Sequence, residues 1–160
     1  MTDNCLVDIK TQNRQQRGYT LFLLLLVFIA SHVDRQIVAI LQEPIRIAFD
    51  LTDTQLGVLT GFAFALFYAT LGMPMAMWAD RRNRRNLIAF SISLWSAMTV
   101  ACAAAGQYWQ LLAARIGVAV GEAGSNPPSH SIIADLYEPA ERATAMAIFG
   151  LGVNFGLMFG

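Results

Sequence analysis

The chain has 160 residues, of which 56% are hydrophobic and only 14% charged, and its formal net charge is zero. Soluble domains carry about 25% charged residues. The deficit excludes a disordered chain and a coiled coil, and with no net positive charge and no basic face a nucleic-acid partner is excluded too.

The charges are also unevenly placed. None falls between Asp53 and Asp80 or between Arg85 and Arg115, gaps of 26 and 29 residues. A bilayer core of roughly 30 Å needs about 20 apolar helical residues, so each gap is long enough to cross. The expected fold is all-α, a polytopic membrane helix bundle embedded in lipid. Cys5 and Cys102 are too few for a disulfide scaffold and are not at metal-ligand spacing. Neither metal nor cofactor is expected.

Residues 1–17 read as a polar cytoplasmic tail, and residues 18–160 as a bundle with spans near 18–42, 55–79, 87–106, 109–134 and 143–160. The apolar start of the first span, Tyr19 to Ala30, follows Lys10, Arg14 and Arg17 and has some signal-peptide character, but helix-compatible sequence runs on to Gln42. Thr52-Asp53-Thr54-Gln55 fits a capping box that opens the second span. Tyr108-Trp109 suits the headgroup layer at the start of the fourth. Pro139 is tolerable near the first turn of the fifth. With the N-terminus inside, inner segments hold Lys10, Arg14, Arg17, Arg81, Arg82, Arg84, Arg85 and Arg142, and outer segments hold Arg46 alone. This asymmetry predicts a cytoplasmic N-terminus in the plasma (inner) membrane. Gly152, Gly156 and Gly160 form a small-residue seam that invites a packed neighbour. No further span is available to fill it, so the chain reads as the front part of a longer protein.

Four ionisable residues lie at membrane depth: Asp34, Arg35, Arg115 and Glu122. Each costs about 2.5–3.5 kcal/mol at the bilayer centre, and such residues face a bundle interior or a wet cavity. A structural ion pair is the alternative to a functional role. At roughly 1.5 Å per residue, Asp34 sits about 6 Å and Arg115 about 9 Å outward of the midplane, with Glu122 near the centre. Arg115 and Glu122 share a helix face. If the first and fourth helices are neighbours, Asp34 meets Arg115. Glu122 is then the less compensated acid, a group suited to proton coupling. Gly117, Gly121, Gly124, Pro127 and Pro128 make the fourth span a kinked helix or a flexing one beside a substrate path. His130, next to the kink, reads as a packing residue. Met73, Met75 and Met77 spread around a helix too widely to form one ligand face, which favours packing.

The segment Ala76-Met77-Trp78-Ala79-Asp80-Arg81-Arg82-Asn83-Arg84-Arg85 resembles the cytoplasmic signature loop of the major facilitator superfamily, with Ala76 and Asn83 where the family has glycine. Asp34-Arg35 and Arg115-Ile-Gly-Val-Ala-Val-Gly-Glu122-Ala are similar to first- and fourth-span motifs of its spinster-like branch and of the related anion:cation symporters. Ile133-Ala-Asp135-Leu-Tyr137, followed by Arg142, looks most like the spinster-like version. The resemblance implies the first five spans of a twelve-helix fold, whose halves rock around a midplane site. It implies a secondary active transporter, proton-coupled as symporter or antiporter, with a small-molecule substrate, protons and the second half of the same protein as partners. Asp34, Arg115 and Glu122 would then serve coupling and substrate polarity, with Arg35 organising the first span. Asp80, Arg81, Arg84, Arg85, Asp135 and Arg142 would form a cytoplasmic gate. The substrate would be a small organic anion or lipid-like amphiphile; the symporter-type alternative is a sugar-acid permease. A truncated, non-transporting scaffold is the reading from another class. Intramembrane protease patterns are absent from the sequence, so no enzyme is expected.

Overall fold

The computed structural model describes the backbone of residues 2–81 and 83–160 and the side chains of residues 15–75, 77–78 and 83–160. Among these residues the chain forms a bundle of eight α-helices: α1 (Thr2–Ile40), α2 (Gln42–Ala48), α3 (Asp53–Gly57), α4 (Ala63–Arg81), α5 (Arg84–Ala103), α6 (Tyr108–Ala123), α7 (Asn126–Leu136) and α8 (Pro139–Phe159). A π-helical turn, Val58–Phe62, joins α3 to α4. Among the described residues there is no strand.

Among the described residues, four helices are long and apolar enough to cross a membrane: Gln15–Ile40, Asp53–Met75, Arg84–Ala103 and Pro139–Phe159. The fourth predicted span differs. It is broken at Gly124-Ser125 into α6 and α7, and neither half alone has the required length. The cause is local. Pro127 and Pro128 have no N–H to donate, so they fit the unsatisfied first turn of a new helix better than the middle of an old one. At the start of the chain α1 is helical from Thr2 and runs unbroken through the segment read as a tail. At the second span the capping box forms as read: Gln55 N–H donates to Thr52 Oγ1, and Thr52 N–H donates to the Gln55 side chain.

Helix packing is governed by glycine. Gly117, Gly121 and Gly124 all face α5, and a Cβ on the first two would lie 2.6 Å from Met98 Cγ and 2.7 Å from Trp95 Cβ. At Gly124 it would meet the Ser91 hydroxyl. These glycines therefore bring α5 and α6 together; only Gly124 sits at the break. This packing accords with the kinked-helix reading of these positions. The reading of the seam on α8 is corrected. Its partner is α1, where Cβ atoms on Gly152, Gly156 and Gly160 would strike Phe28, His32 and Gln36. The neighbour lies within the chain.

Two apolar clusters flank the polar middle of the bundle. Leu21, Leu24, Ile88, Ile133, Ala145 and Phe149 form one, and Leu51, Leu59 and Leu111 the other. Along α1 and α6 the charged residues lie between them. Met73 and Met77, read as packing residues, are exposed on α4.

Candidate functional site

The intramembrane charges converge on one site between α1 and α6, as a ladder of two rungs. In the first rung Arg115 Nη1 donates to Asp34 Oδ2 at 3.3 Å, and Thr99 Oγ1 of α5 donates to Asp34 Oδ1 at 3.3 Å. In the second, Arg35 Nε donates to Glu122 Oε2 at 2.8 Å, Arg35 Nη2 lies 2.6 Å from the same oxygen, and Ser31 Oγ donates to it at 3.1 Å. Glu122 Oε1 has no hydrogen-bond partner among the described residues. The antiparallel run of α1 and α6 explains the register. Helical side chains lean toward their own N-terminus, so Arg35 reaches back along α1 to Glu122, which lies two turns beyond Arg115 on α6.

This geometry contains the predicted meeting of Asp34 and Arg115. Glu122 is fully buried, held through Oε2 by Arg35 and Ser31, and its Oε1 has no partner among the described residues; the pairing with Arg35 is one the sequence reading did not make. Exposure also separates the two arginines. The Arg115 side chain is 6% exposed and that of Arg35 30%. Arg35, read only as an organiser, has the more exposed side chain of the two, with its Nη2 buried against Glu122.

Aromatic side chains on α4 complete the wall. Arg35 Cζ lies 5.0 Å from the ring centre of Phe64 and 4.8 Å from that of Tyr68, and Arg115 Cζ lies 5.2 Å from Phe64. A cation over a desolvated ring gains about 2 kcal/mol. Phe64 and Tyr68 are four residues apart, hence on one helix face, and their rings stack at 5.9 Å. Asn126 Nδ2 donates to Tyr68 Oη at 2.6 Å. Ser31, Phe64, Tyr68, Thr99 and Asn126 are absent from the candidates that the sequence supplies. Only the Phe64-x-x-x-Tyr68 spacing could draw attention, and an aromatic pair in an apolar span gives no hint that a charge faces it.

The proposed gate residues are only partly assembled. Arg84 Nη1 donates to Asp135 Oδ2, linking the start of α5 to the end of α7. Arg85, one residue on, turns to a different face and lines an apolar groove with Tyr19, Ile88 and Leu136. Among the described residues neither Arg85 nor Arg142 has an ion-pair partner, so the structure does not bring them to Asp135. The side chains of Asp80 and Arg81 lie outside the described residues. His130 sits edge-on to Phe149, with Nδ1 3.3 Å from Met146 Sδ.

The described residues thus form a membrane bundle with a cluster of two acids and two arginines between its first and its broken fourth crossing. Residues 23–160 match the family profile described as Major Facilitator Superfamily. The chain belongs to that family. It is similar to a bacterial homologue of the human lysosomal transporter Spinster, solved in an inward-facing, unoccupied conformation, with 47% identity and a TM-score of 0.84 over 88% of this chain and 29% of that one. It is 37% identical to the "MFS-type efflux pump" of Mycolicibacterium smegmatis over 81% of this chain and 30% of the relative. It is 27% identical to the "Probable L-galactonate transporter" of Escherichia coli over 93% of this chain and 33% of the relative. The chain thus spans about a third of the length of the relatives it matches. The family places it among membrane-spanning proteins of the spinster-like branch and accounts for the first crossings of the fold.

Proposed function

We propose that this chain is the N-terminal, cavity-lining half of a proton-coupled secondary transporter that moves a small organic anion or a lipid-like amphiphile by alternating access. The observation that carries the reading is the sharing of Arg35. Its guanidinium holds Glu122 and its side chain is 30% exposed, so an incoming carboxylate or phosphate competes with Glu122 for the same cation. A proton on Glu122 releases Arg35 to the substrate; loss of that proton draws Arg35 back and expels the anion. Asp34 and Arg115 form the buried pair that fixes α1 against α6. Arg84 and Asp135 close the cytoplasmic end, with Asp80, Arg81, Arg85 and Arg142 contributing when the second half packs against them. The cytoplasmic N-terminus and the inner membrane belong to the same proposal.

The test is uptake driven by a pH gradient in proteoliposomes containing both halves. Glu122→Gln is expected to abolish the response to the gradient while leaving exchange of substrate. Unchanged gradient-driven uptake in that variant would sink proton coupling through Glu122. The similarity to the named L-galactonate transporter supports a sugar-acid substrate as the second reading. Parallel assays with L-galactonate and a lysophospholipid separate the two.

A further inference from the structure

We infer that Phe64 and Tyr68 form an aromatic shelf that positions Arg35 on Glu122, and that Asn126 ties this shelf to the far side of the break between α6 and α7. The contacts already described span three segments. Phe64 meets arginines from α1 and α6, Tyr68 meets Arg35, and the Tyr68 hydroxyl accepts from the first residue of α7. The backbone ahead of the shelf is unusual in a way that bears on its aim. The N–H of Ala63 reaches Val58 O, five residues back, in the π-helical turn that ends one residue before α4. A π turn inserts one extra residue, which rotates all that follows by about 100° relative to an unbroken α-helix. Without it, a continuous helix starting from the Thr52 cap would aim Phe64 and Tyr68 away from the arginines.

The need for a shelf follows from the charges. Arg115 Nε is buried without a hydrogen-bond partner among the described residues, and Arg35 concentrates its contacts on a single carboxylate oxygen. Both guanidiniums are under-supplied with acceptors, and the ring faces are the negative surfaces that remain. With the shelf in place, Arg35 has one position over the rings and opposite Glu122. Without it, the partly exposed side chain is free to swing away from Glu122. Because the shelf rests on both sides of the break, a change of angle between α6 and α7 moves it. Its meaning for transport rests on the reading above; its existence does not.

The test uses the chain in lipid nanodiscs with carbon-13-labelled glutamate, and reads Glu122 by infrared spectroscopy as the bands lost in Glu122→Gln. At neutral pH, wild type is expected to show a carboxylate and Arg35→Gln a protonated carboxyl. Phe64→Met, which keeps bulk but removes the ring, is expected to give at least half of the Arg35→Gln change. Phe64→Tyr, which restores a ring, should return the wild-type spectrum. Asn126→Ala should give a smaller change of the same kind. If Phe64→Met fails to insert, Tyr68→Leu takes its place with the same expectation. A wild-type spectrum in the ring-less variants, beside an altered one in Arg35→Gln, overturns the shelf; a wild-type spectrum in Asn126→Ala overturns the tie. Loss of the transport reading in the uptake assay leaves these spectra as they are, so the two ideas fail separately.

Discussion

Asp34 and Arg115 show what a single residue can cost in this environment. Removing one member of a buried ion pair strands the other and destabilises by about 3–5 kcal/mol, whereas removing both is far milder. Arg115→Ala should therefore lower stability in bilayer-mimetic unfolding by about that amount, and Asp34→Asn combined with Arg115→Gln should recover most of it. The Arg35–Glu122 pair should behave differently, because the Arg35 side chain is 30% exposed and not enclosed on every side. Arg35→Gln is expected to alter function more than stability, which a comparison of thermal unfolding with uptake would show. The four charges are legible in the sequence because ionisable residues stand out in apolar spans, and the meeting of Asp34 with Arg115 follows from counting rise along two antiparallel helices. The pairing of Arg35 with Glu122 is not legible. It depends on the lean of a long side chain along its own helix, which counting by residue height ignores.

At the scale of elements, glycine decides how closely the helices approach. A side chain at Gly121 would lie 2.8 Å from the backbone nitrogen of Trp95, which cannot step aside as a side chain could. Gly121→Val should cost about 1–3 kcal/mol of overpacking, while Gly150→Val, with nothing within 4 Å of the added carbon, should be tolerated. Reversible unfolding in mixed micelles distinguishes the two. The glycine spacing on α6 and α8 is plain in the sequence, but its partner is not. One row of small residues fits a neighbour from anywhere, so the seam on α8 reads as waiting for a further helix when α1 fills it. The broken fourth crossing is half legible: Pro127-Pro128 marks the disturbance, but whether a helix bends or restarts depends on how the first turn after it is accommodated. The π turn after α3 has no signature at all, since Val-Leu-Thr-Gly-Phe is an ordinary stretch of apolar helix.

For the whole molecule, the arrangement of arginines predicts a topology that labelling can check. A cysteine placed at Asn83 should react with an impermeant thiol reagent only from the cytoplasmic side, and one at Gln107 only from the opposite side, with Cys5 and Cys102 replaced by serine. The link between Arg84 and Asp135 belongs to this scale too, because it joins the start of one crossing to the end of another. Arg84→Asp should weaken closure of the cytoplasmic end and raise labelling of a cysteine at His130, and the added exchange Asp135→Arg should restore protection.

The two rungs of the polar ladder together carry two acids and two bases, so the empty site is electrically silent. A membrane voltage, worth about 2.3 kcal/mol per elementary charge for each 100 mV crossed, exerts no net pull on it. On the transport reading proposed above, whatever enters alone, a proton or an anion, gives the site a sign, and from then on the field favours one orientation of the loaded carrier over the other. If the two enter together, the cargo is neutral and the reorientation is indifferent to voltage.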